Sequence, residues 1–339
     1  PMLADILDAF RRYDRGYGQI VLQCNCEDDA QGLPEYAIEK HGLTALEFKF
    51  GQSAKGTQPV TRLKDYDAAL KKKATGALVH PDPEDPAVRA AAERGEAPNF
   101  YAYGRLPMWD EEYLVTRIGM LRDMGLKNVY FKMTGFDPVD IERVLRIAAS
   151  AEVDVVTFDG AGGGSGYSPC KMMNEWGLPT VPLESAVCGI ARRLIREGLE
   201  LPSMVITGGF ATEDQVFKAL ALGAPCFQAV GLCRAAMAAA NSAKKVGELI
   251  EAGNIPAYLQ KYGDSKETLF ADLPDLRHLY GKEAESFPAG AIGVFSYLNR
   301  IAMGLRHFAA LNRKFDVNLL GPDDLIPLTP EAAELLVGR

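Results

Sequence analysis

The hydrophobic positions of the chain fall into short β-branched runs, each followed by a turn and then by apolar residues at helical spacing. From residue 128 onward the runs recur every roughly 20 to 27 residues, the length of a parallel βα unit. Two earlier runs belong to the same series. The seven predicted strands are 19–25, 45–50, 129–133, 153–158, 180–184, 204–207 and 226–230. Between them, Asp137 and Pro138 predict the start of a helix whose apolar face is Ile141, Val144, Leu145 and Ala148, and Thr212 with Gln215 predicts a capping box at the start of another.

This rhythm predicts an α/β fold, a (β/α)₈ TIM barrel, with a doubly wound open sheet as the competing topology. A barrel needs eight strands, so we expect the first strand to lie upstream of Pro1. Residues 1–255 are predicted to form the barrel, and a polar, proline-bearing insertion at about 55–109 reads as a long loop region at one barrel mouth. Residues 256–339 form a C-terminal extension, whose helix around 290–312 is expected to pack on the barrel or on a partner subunit.

The amino-acid composition argues against two classes of function, nucleic-acid binding and metal binding. The formal net charge of −8 argues against a nucleic-acid surface, which needs clustered Lys and Arg. Six scattered cysteines without a C-x-x-C pair indicate reduced thiols and a cytoplasmic protein. The four histidines are dispersed, so no metal site is predicted.

Glycines follow three consecutive predicted strands, in the segments FDGAGGGSGYSP, ITGGF and AVGLCRA. Gly208 and Gly209 precede a helix capped by Thr212, where backbone N–H groups and a positive helix end favour an anion. The next loop adds Gly231 and Arg234 as partners for a phosphate. The glycines of the first segment would let backbone approach a flat ligand closely. Any one of these loops could instead be a tight turn alone.

Two lysines, Lys49 and Lys132, lie near the C-terminal ends of predicted strands among apolar neighbours. A lysine inside a barrel needs a partner: a Schiff base, a core carboxylate, or an electron-accepting ring beside its charge. An outward or paired lysine is the structural alternative. The amide of Gln52 both donates and accepts, which suits the edge of a flavin pyrimidine.

Four segments resemble the FMN-binding synthase domain of glutamate synthase: LEFKFGQSAKG, VYFKMTG, VDVVTFDGAGGGSGYSP and VITGGFATEDQVFKALALGA. The similarity extends from about Gly18 to Met237. It implies a (β/α)₈ barrel with FMN at its C-terminal mouth. The implied positions are Gly163 and Gly164 near the flavin, Gly208 and Gly209 at its phosphate, Lys132 and Gln52 against the ring, and Lys49 and Lys55 near the substrate.

The chain also departs from that family. Where glutamate synthase has three cysteines for a 3Fe-4S cluster, this segment contains only Cys233, so no iron-sulfur cluster is expected in this chain. Ala161 and Gly162 replace a His-Asp pair of the family's glycine signature. The resemblance does not extend to an N-terminal nucleophile glutaminase domain, so we expect glutamine-derived ammonia to come from a separate chain. A separate amidotransferase or an electron-donor subunit is the expected partner.

The resulting hypothesis is an FMN-dependent oxidoreductase of amino-acid metabolism that moves a hydride between the flavin and a carbon–nitrogen bond of an amino or imino acid. Lys132 and Lys49 are the candidate catalytic residues, and an oligomer is expected. One alternative is a flavin-free barrel aldolase or isomerase that uses a lysine on a phosphorylated substrate. The other is a non-catalytic scaffold or electron-relay subunit.

Overall fold

A computed structural model describes residues 2–50, 60–103, 110–135, 137–163 and 174–337. These residues divide into two compact units, Pro1–Gly208 with Val337–Arg339, and Gly209–Leu336. The predicted domain boundary at residue 255 falls inside the second unit and stays a prediction.

The strands and helices are numbered in chain order. The strands are β1 Leu22–Cys24, β2 Ala45–Lys49, β3 Thr61–Arg62, β4 Leu78–His80, β5 Tyr101–Tyr103, β6 Asn128–Thr134, β7 Val155–Asp159, β8 Ser203–Thr207 and β9 Phe227–Gly231. The helices are α1 Met2–Tyr13, α2 Cys26–Ala30, α3 Leu33–His41, α4 Tyr66–Ala74, α5 Pro86–Glu93, α6 Glu111–Asp123, α7 Pro138–Ser150, α8 Thr180–Arg196, α9 Glu213–Gly223, α10 Arg234–Glu251, α11 Ala257–Gln260, α12 Lys266–Leu269, α13 Leu273–Tyr280, α14 Ala289–Leu311 and α15 Pro330–Val337.

A parallel sheet in the order β1-β2-β6-β7-β8 organises the first unit. Successive side chains of a strand point to opposite faces, so the sheet has two distinct surfaces. One surface is apolar and forms the core of this unit; it consists of Leu46, Phe48, Val129, Phe131, Val156, Phe158, Met204 and Ile206. The other is half-buried and polar, and we call it the lysine face: Glu47, Lys49, Tyr130, Lys132, Val155 and Thr157.

Most of the predicted strands and helix signals are confirmed. Six of the seven predicted runs contain strands at nearly the predicted positions. Among the described elements, a helix is the next α-helix or strand after each of these strands except β2, which is followed by β3. Asp137 caps α7 by accepting a hydrogen bond from the N–H of Val139, and Pro138 is its first residue. The apolar face predicted for this helix, which includes Ile141 and Leu145, is buried.

The strand predicted at residues 180–184 is wrong, because these residues begin helix α8. Thr180 and Val181 are β-branched and suggested a strand, yet Pro182 is tolerated in a first helical turn, where its missing N–H costs nothing. The following buried residues recur at helical spacing: Leu183, Val187, Cys188, Ala191 and Leu194.

The insertion predicted as a long loop is in part a small folded element. Strands β3, β5 and β4 form a separate antiparallel sheet with α4 and α5. Its core is made by Ala69, Val79, Phe100 and Ala102. Strand β4 lies within residues 76–80, none of which was predicted as a barrel strand, and it belongs to this second sheet.

Within the second unit, α10 and α14 pack closely through small residues. A Cβ added at Gly247 would lie 2.6 Å from the Cβ of Ala289, and one at Gly293 would lie 2.2 Å from that of Ala243. The helix predicted around 290–312 is therefore confirmed as α14. It packs against α9 and α10 in its own unit, and the Tyr297 hydroxyl donates to the Ala211 carbonyl at 2.9 Å.

Candidate functional site

The two predicted lysines are neighbours on the lysine face. Lys49 is the last residue of β2, and Lys132 is its register partner on β6. Side chains of directly paired residues in a parallel sheet point to the same side, and neighbouring strands lie about 4.8 Å apart. Thr157 on β7 continues this row next to Lys132. The structure thus places two positive charges side by side near the C-terminal edge of the sheet, an arrangement that favours an anionic or electron-accepting ligand.

One layer below the lysines, the polar groups are already paired. The Gln23 amide donates to the Glu47 carboxylate, and the Tyr130 hydroxyl donates to Gln19 Oε1 at 2.5 Å. Burial raises the pKa of Tyr130, so this phenol stays protonated at neutral pH. Below the two lysines, the side chains of Glu47 and Tyr130 are thus already hydrogen-bonded within the chain.

At the rim of the same face, Thr134, Asp159 and Thr207 end their strands as register partners. Thr134 lies two residues beyond Lys132 and therefore on the same side of the sheet. Its side chain is 1% exposed, and among the described residues its hydroxyl has no hydrogen-bond partner. Asp159 is 2% exposed. Sequence reasoning missed both residues, although counting in steps of two from Lys132 would have placed Thr134 on this face.

Gly160 and Gly208 enclose the side chain of Thr180, the first residue of α8. A Cβ at Gly160 would lie 2.3 Å from Thr180 Oγ1, and one at Gly208 would lie 2.4 Å from the same atom. The Thr180 hydroxyl donates to the Gly208 carbonyl at 2.7 Å, and the Gly160 N–H donates to the Thr207 carbonyl at 2.8 Å. The bare backbone of Gly208 is therefore required for packing within the chain, whatever else it contacts.

A similar close approach explains Gly163. A Cβ there would lie 1.8 Å from Asp159 Oδ1, so the turn Ala161–Gly163 covers the carboxylate at the end of β7. The predicted position of Gly163 near a flavin remains untested by these contacts. Gln52, Lys55 and Gly164 lie outside the described residues.

The start of α9, predicted to bind a phosphate, is capped by its own residues. The N–H groups of Ala211 and Thr212 donate to Gln215 Oε1 at 2.8 and 3.2 Å, which agrees with the predicted capping box. The Thr212 hydroxyl donates to Asp214 and lowers the pKa of that carboxyl group, with a further contribution from Lys218. A phosphate near Gly209 would meet a helix end where two amides are occupied and a carboxylate is present.

The other half of the predicted phosphate site lies at the start of α10. Arg234 is the first residue of this helix, and the preceding Cys233 makes no side-chain capping hydrogen bond. Gly231 ends β9 three residues earlier. A cation at a helix N-terminus is unfavourable by itself because the helix dipole is positive there. An anion would be attracted by both the helix end and the guanidinium.

A buried charge network that the sequence did not reveal joins α2 and α3 to α6. Arg117 donates to Asp29 Oδ1 at 2.9 Å and to Glu35 Oε2 at 2.8 Å, and the Tyr113 hydroxyl donates to Asp29 at 2.8 Å. The hydrogen bond from Arg117 lowers the pKa of Glu35, while burial and the bond to Asp29 raise the pKa of Tyr113 to about 12. The partners are more than 80 positions apart in sequence, so no local motif indicates them.

The described ranges contain neither a candidate metal site nor a candidate membrane-spanning helix. No group of three or more His, Cys, Asp and Glu side chains is placed to hold a metal ion there. No helix in those ranges has the length and apolar character needed to cross a membrane. A surface hollow beside Tyr113 and Arg117 includes none of the predicted site residues.

Comparison with known sequences supports the resemblance seen in the motifs. The model of the family described as the conserved region in glutamate synthase matches residues 105–245. The archaeal-type glutamate synthase (NADPH) of Dehalococcoides mccartyi is 39% identical over 90 residues, which are 26% of this chain and 17% of that protein. The archaeal glutamate synthase (NADPH) of Methanocaldococcus jannaschii is 38% identical over 92 residues, 27% of this chain and 17% of its own length. The match thus spans less than a fifth of either relative.

Solved structures confirm the predicted fold class. The recombinant flavin-binding domain of baker's yeast flavocytochrome b2 aligns with 99% of this chain and 59% of its own, at a TM-score of 0.52 and 14% identity. A variant of flavocytochrome b2 with pyruvate bound aligns with 97% of this chain and 58% of its own, at a TM-score of 0.50 and 15% identity. At such identities the likeness concerns the fold alone, an α/β barrel.

Proposed function

Because residues 105–245 form a glutamate-synthase-like region, we propose that the chain is an FMN-dependent oxidoreductase acting on a carbon–nitrogen bond of a small amino or imino acid. The observation that carries this proposal is the side-by-side placement of Lys49 and Lys132 at the C-terminal edge of the sheet. When bound, FMN would accept or return a hydride at N5 of its ring. The residues of the chain bind, orient and charge-balance the reactants.

The two lysines have separate roles in this proposal. Lys132 would hold a positive charge beside the flavin ring and stabilise the negative charge that reduction places near N1. Lys49, at the end of its strand, binds the substrate carboxylate and orients the carbon–nitrogen bond. In this proposal an amino acid would give a hydride from its α-carbon to the oxidised cofactor and a proton from its nitrogen to solvent water, and would so become an imino acid.

Two groups of described residues, each within one compact unit, support FMN as the proposed cofactor. At the ring end, the lysines provide charge, and the buried Thr134 hydroxyl lacks a partner among the described residues. At the phosphate end, Gly209, Gly231 and Arg234 are the candidate ligands, although Gln215 and Asp214 occupy the start of α9. Gly208 is less suited to this role because its side-chain space is filled by Thr180.

The partners of the chain are part of the proposal. A small amino or oxo acid is the expected substrate, and a separate amidotransferase or electron-donor subunit would supply ammonia or electrons. An oligomer in the cytoplasm is the expected state. The relatives that this chain partly matches are glutamate synthases (NADPH), and their activity suggests this chemistry.

The roles of the lysines can be tested by anaerobic mixing of the FMN-loaded protein with a panel of amino acids, following the loss of flavin absorbance. Removing the charge with Lys132→Met should slow flavin reduction by about a hundredfold and weaken FMN binding far less. Lys127→Met, at an exposed position just before β6, is the matched control and should react at the wild-type rate. Reduction of Lys132→Met at the wild-type rate would exclude this role.

A flavin-free aldolase or isomerase remains the second candidate, and the same lysine pair favours it, since a neighbouring cation helps to keep an amine nucleophilic. Borohydride in the presence of a phosphorylated aldehyde or ketone would then attach the substrate irreversibly to Lys49 or Lys132. Covalent labelling at either lysine in a protein that binds no FMN would favour this alternative over the oxidoreductase.

A further inference from the structure

Thr134 is an unusual residue for the inside of a protein. Its side chain is 1% exposed, yet its hydroxyl finds no hydrogen-bond partner among the described residues. Buried polar atoms without partners are rare, because burial removes the hydrogen bonds that water would provide. No hydrogen bond to a described residue therefore accounts for a hydroxyl instead of a methyl group at this position.

The position of Thr134 relates the hydroxyl to the proposed site. It lies two residues beyond Lys132 on β6, on the lysine face, and its register partner on β7 is Asp159. The two Cα atoms of Lys132 and Thr134 are separated by about 7 Å along the strand. A lysine side chain is long enough to cover that distance, so the Lys132 ammonium group and the Thr134 hydroxyl can both contact one planar ligand.

A hydroxyl group is suited to the polar edge of a flavin. The pyrimidine part of the ring presents carbonyl oxygens that accept and an N–H that donates, and a threonine hydroxyl can pair with either. We propose that the Thr134 hydroxyl hydrogen-bonds the ring of bound FMN and is a specific cofactor-binding group of this chain. This inference rests on the proposed function. It adds a ligand-binding residue that neither the motifs nor the glycine loops indicated.

The proposal predicts opposite effects on stability and on binding. Thr134→Val keeps the shape of the side chain and removes the hydroxyl. FMN affinity should fall about tenfold, the effect of losing one hydrogen bond in a closed site. The melting temperature of the apoprotein should stay the same or rise by about 2 °C, because no hydrogen bond to a described residue is lost in the unliganded state. Thr134→Ser, which keeps the hydroxyl, should bind FMN nearly as tightly as the wild type.

Thr180→Val provides the matched contrast for stability. Thr180 is also a buried threonine, but its hydroxyl donates to the Gly208 carbonyl at 2.7 Å. Its loss should lower the melting temperature of the apoprotein, in contrast to Thr134→Val.

The experiment is an FMN titration of each apoprotein by flavin fluorescence, together with thermal unfolding without FMN. Weaker binding by Thr134→Val with an unlowered melting temperature supports the inference. Equal FMN affinity in the wild type and Thr134→Val overturns it and leaves the proposed function intact. A melting temperature that falls as far as in Thr180→Val also overturns it, because the hydroxyl would then stabilise the fold. A wild-type protein that binds no FMN refutes the proposed function itself, and this inference with it.

Discussion

The packing around Gly208 leads to a quantitative prediction for Gly208→Ala. Gly208 has φ +136°, and a Cβ there would lie 2.4 Å from Thr180 Oγ1 and 3.0 Å from the Cα and N atoms of Gly160. The positive φ costs a residue with a side chain about 1–2 kcal/mol. Crowding in a packed region adds about 1–3 kcal/mol. Since Gly160 presents backbone atoms, the crowding cannot be relieved by a side-chain rotation alone.

The expected total loss is about 3 kcal/mol of unfolding free energy, measured by urea denaturation followed by circular dichroism. Gly125→Ala is the matched control, because Gly125 has φ +114° and no atom within 4 Å of an added Cβ. That variant should lose only about 1–2 kcal/mol for its backbone conformation. A Gly208→Ala protein that is no less stable than Gly125→Ala would refute the packing argument. Ligand binding would then be the remaining explanation for a glycine at position 208.

Two further predictions concern charge networks. Arg117→Met would leave Asp29 buried without its cation and should cost about 3–5 kcal/mol of unfolding free energy, whereas the exposed control Arg89→Met should cost almost nothing; equal stabilities would contradict the network's importance. Hydrogen bonds from Arg193 lower the pKa of Glu142 from 4.5 to about 2. As the pH falls, the Glu142 carboxylate is therefore protonated in the unfolded chain before it is protonated in the folded chain. The stability that the ionised Glu142 contributes should be fully present above about pH 4.5 and lost towards pH 2. Melting curves of wild type and Glu142→Gln should therefore converge in acid, and a constant difference from pH 7 to pH 2 would argue against this linkage.

Local signals in the sequence were sufficient for most of the βα framework. Asp137 and Pro138 predicted the start of α7, and Thr212 with Gln215 predicted the start of α9. Both predictions were possible because helix capping depends on residues within a few positions of each other. The error at Thr180 arose because two β-branched residues outweighed the helical spacing that begins at Leu183. The antiparallel sheet of the insertion escaped detection because its strands are only two or three residues long.

The arrangement of the site depended on tertiary information. Lys49 and Lys132 were both identified from the sequence, but their pairing follows from the sheet order, in which β2 lies beside β6 despite the insertion between them. The absence of a hydrogen-bond partner for Thr134 within the described residues is a property of the folded chain. Arg117 and Asp29 likewise meet across 88 positions, a distance at which no periodic pattern carries information.

The most direct test of the proposed oxidoreductase is an absorption spectrum of the purified protein between 300 and 500 nm, with phosphate analysis of any chromophore released on denaturation. The proposal predicts a flavin band and one phosphate per chromophore, either as purified or after addition of FMN. A colourless protein that also fails to bind added FMN would contradict it.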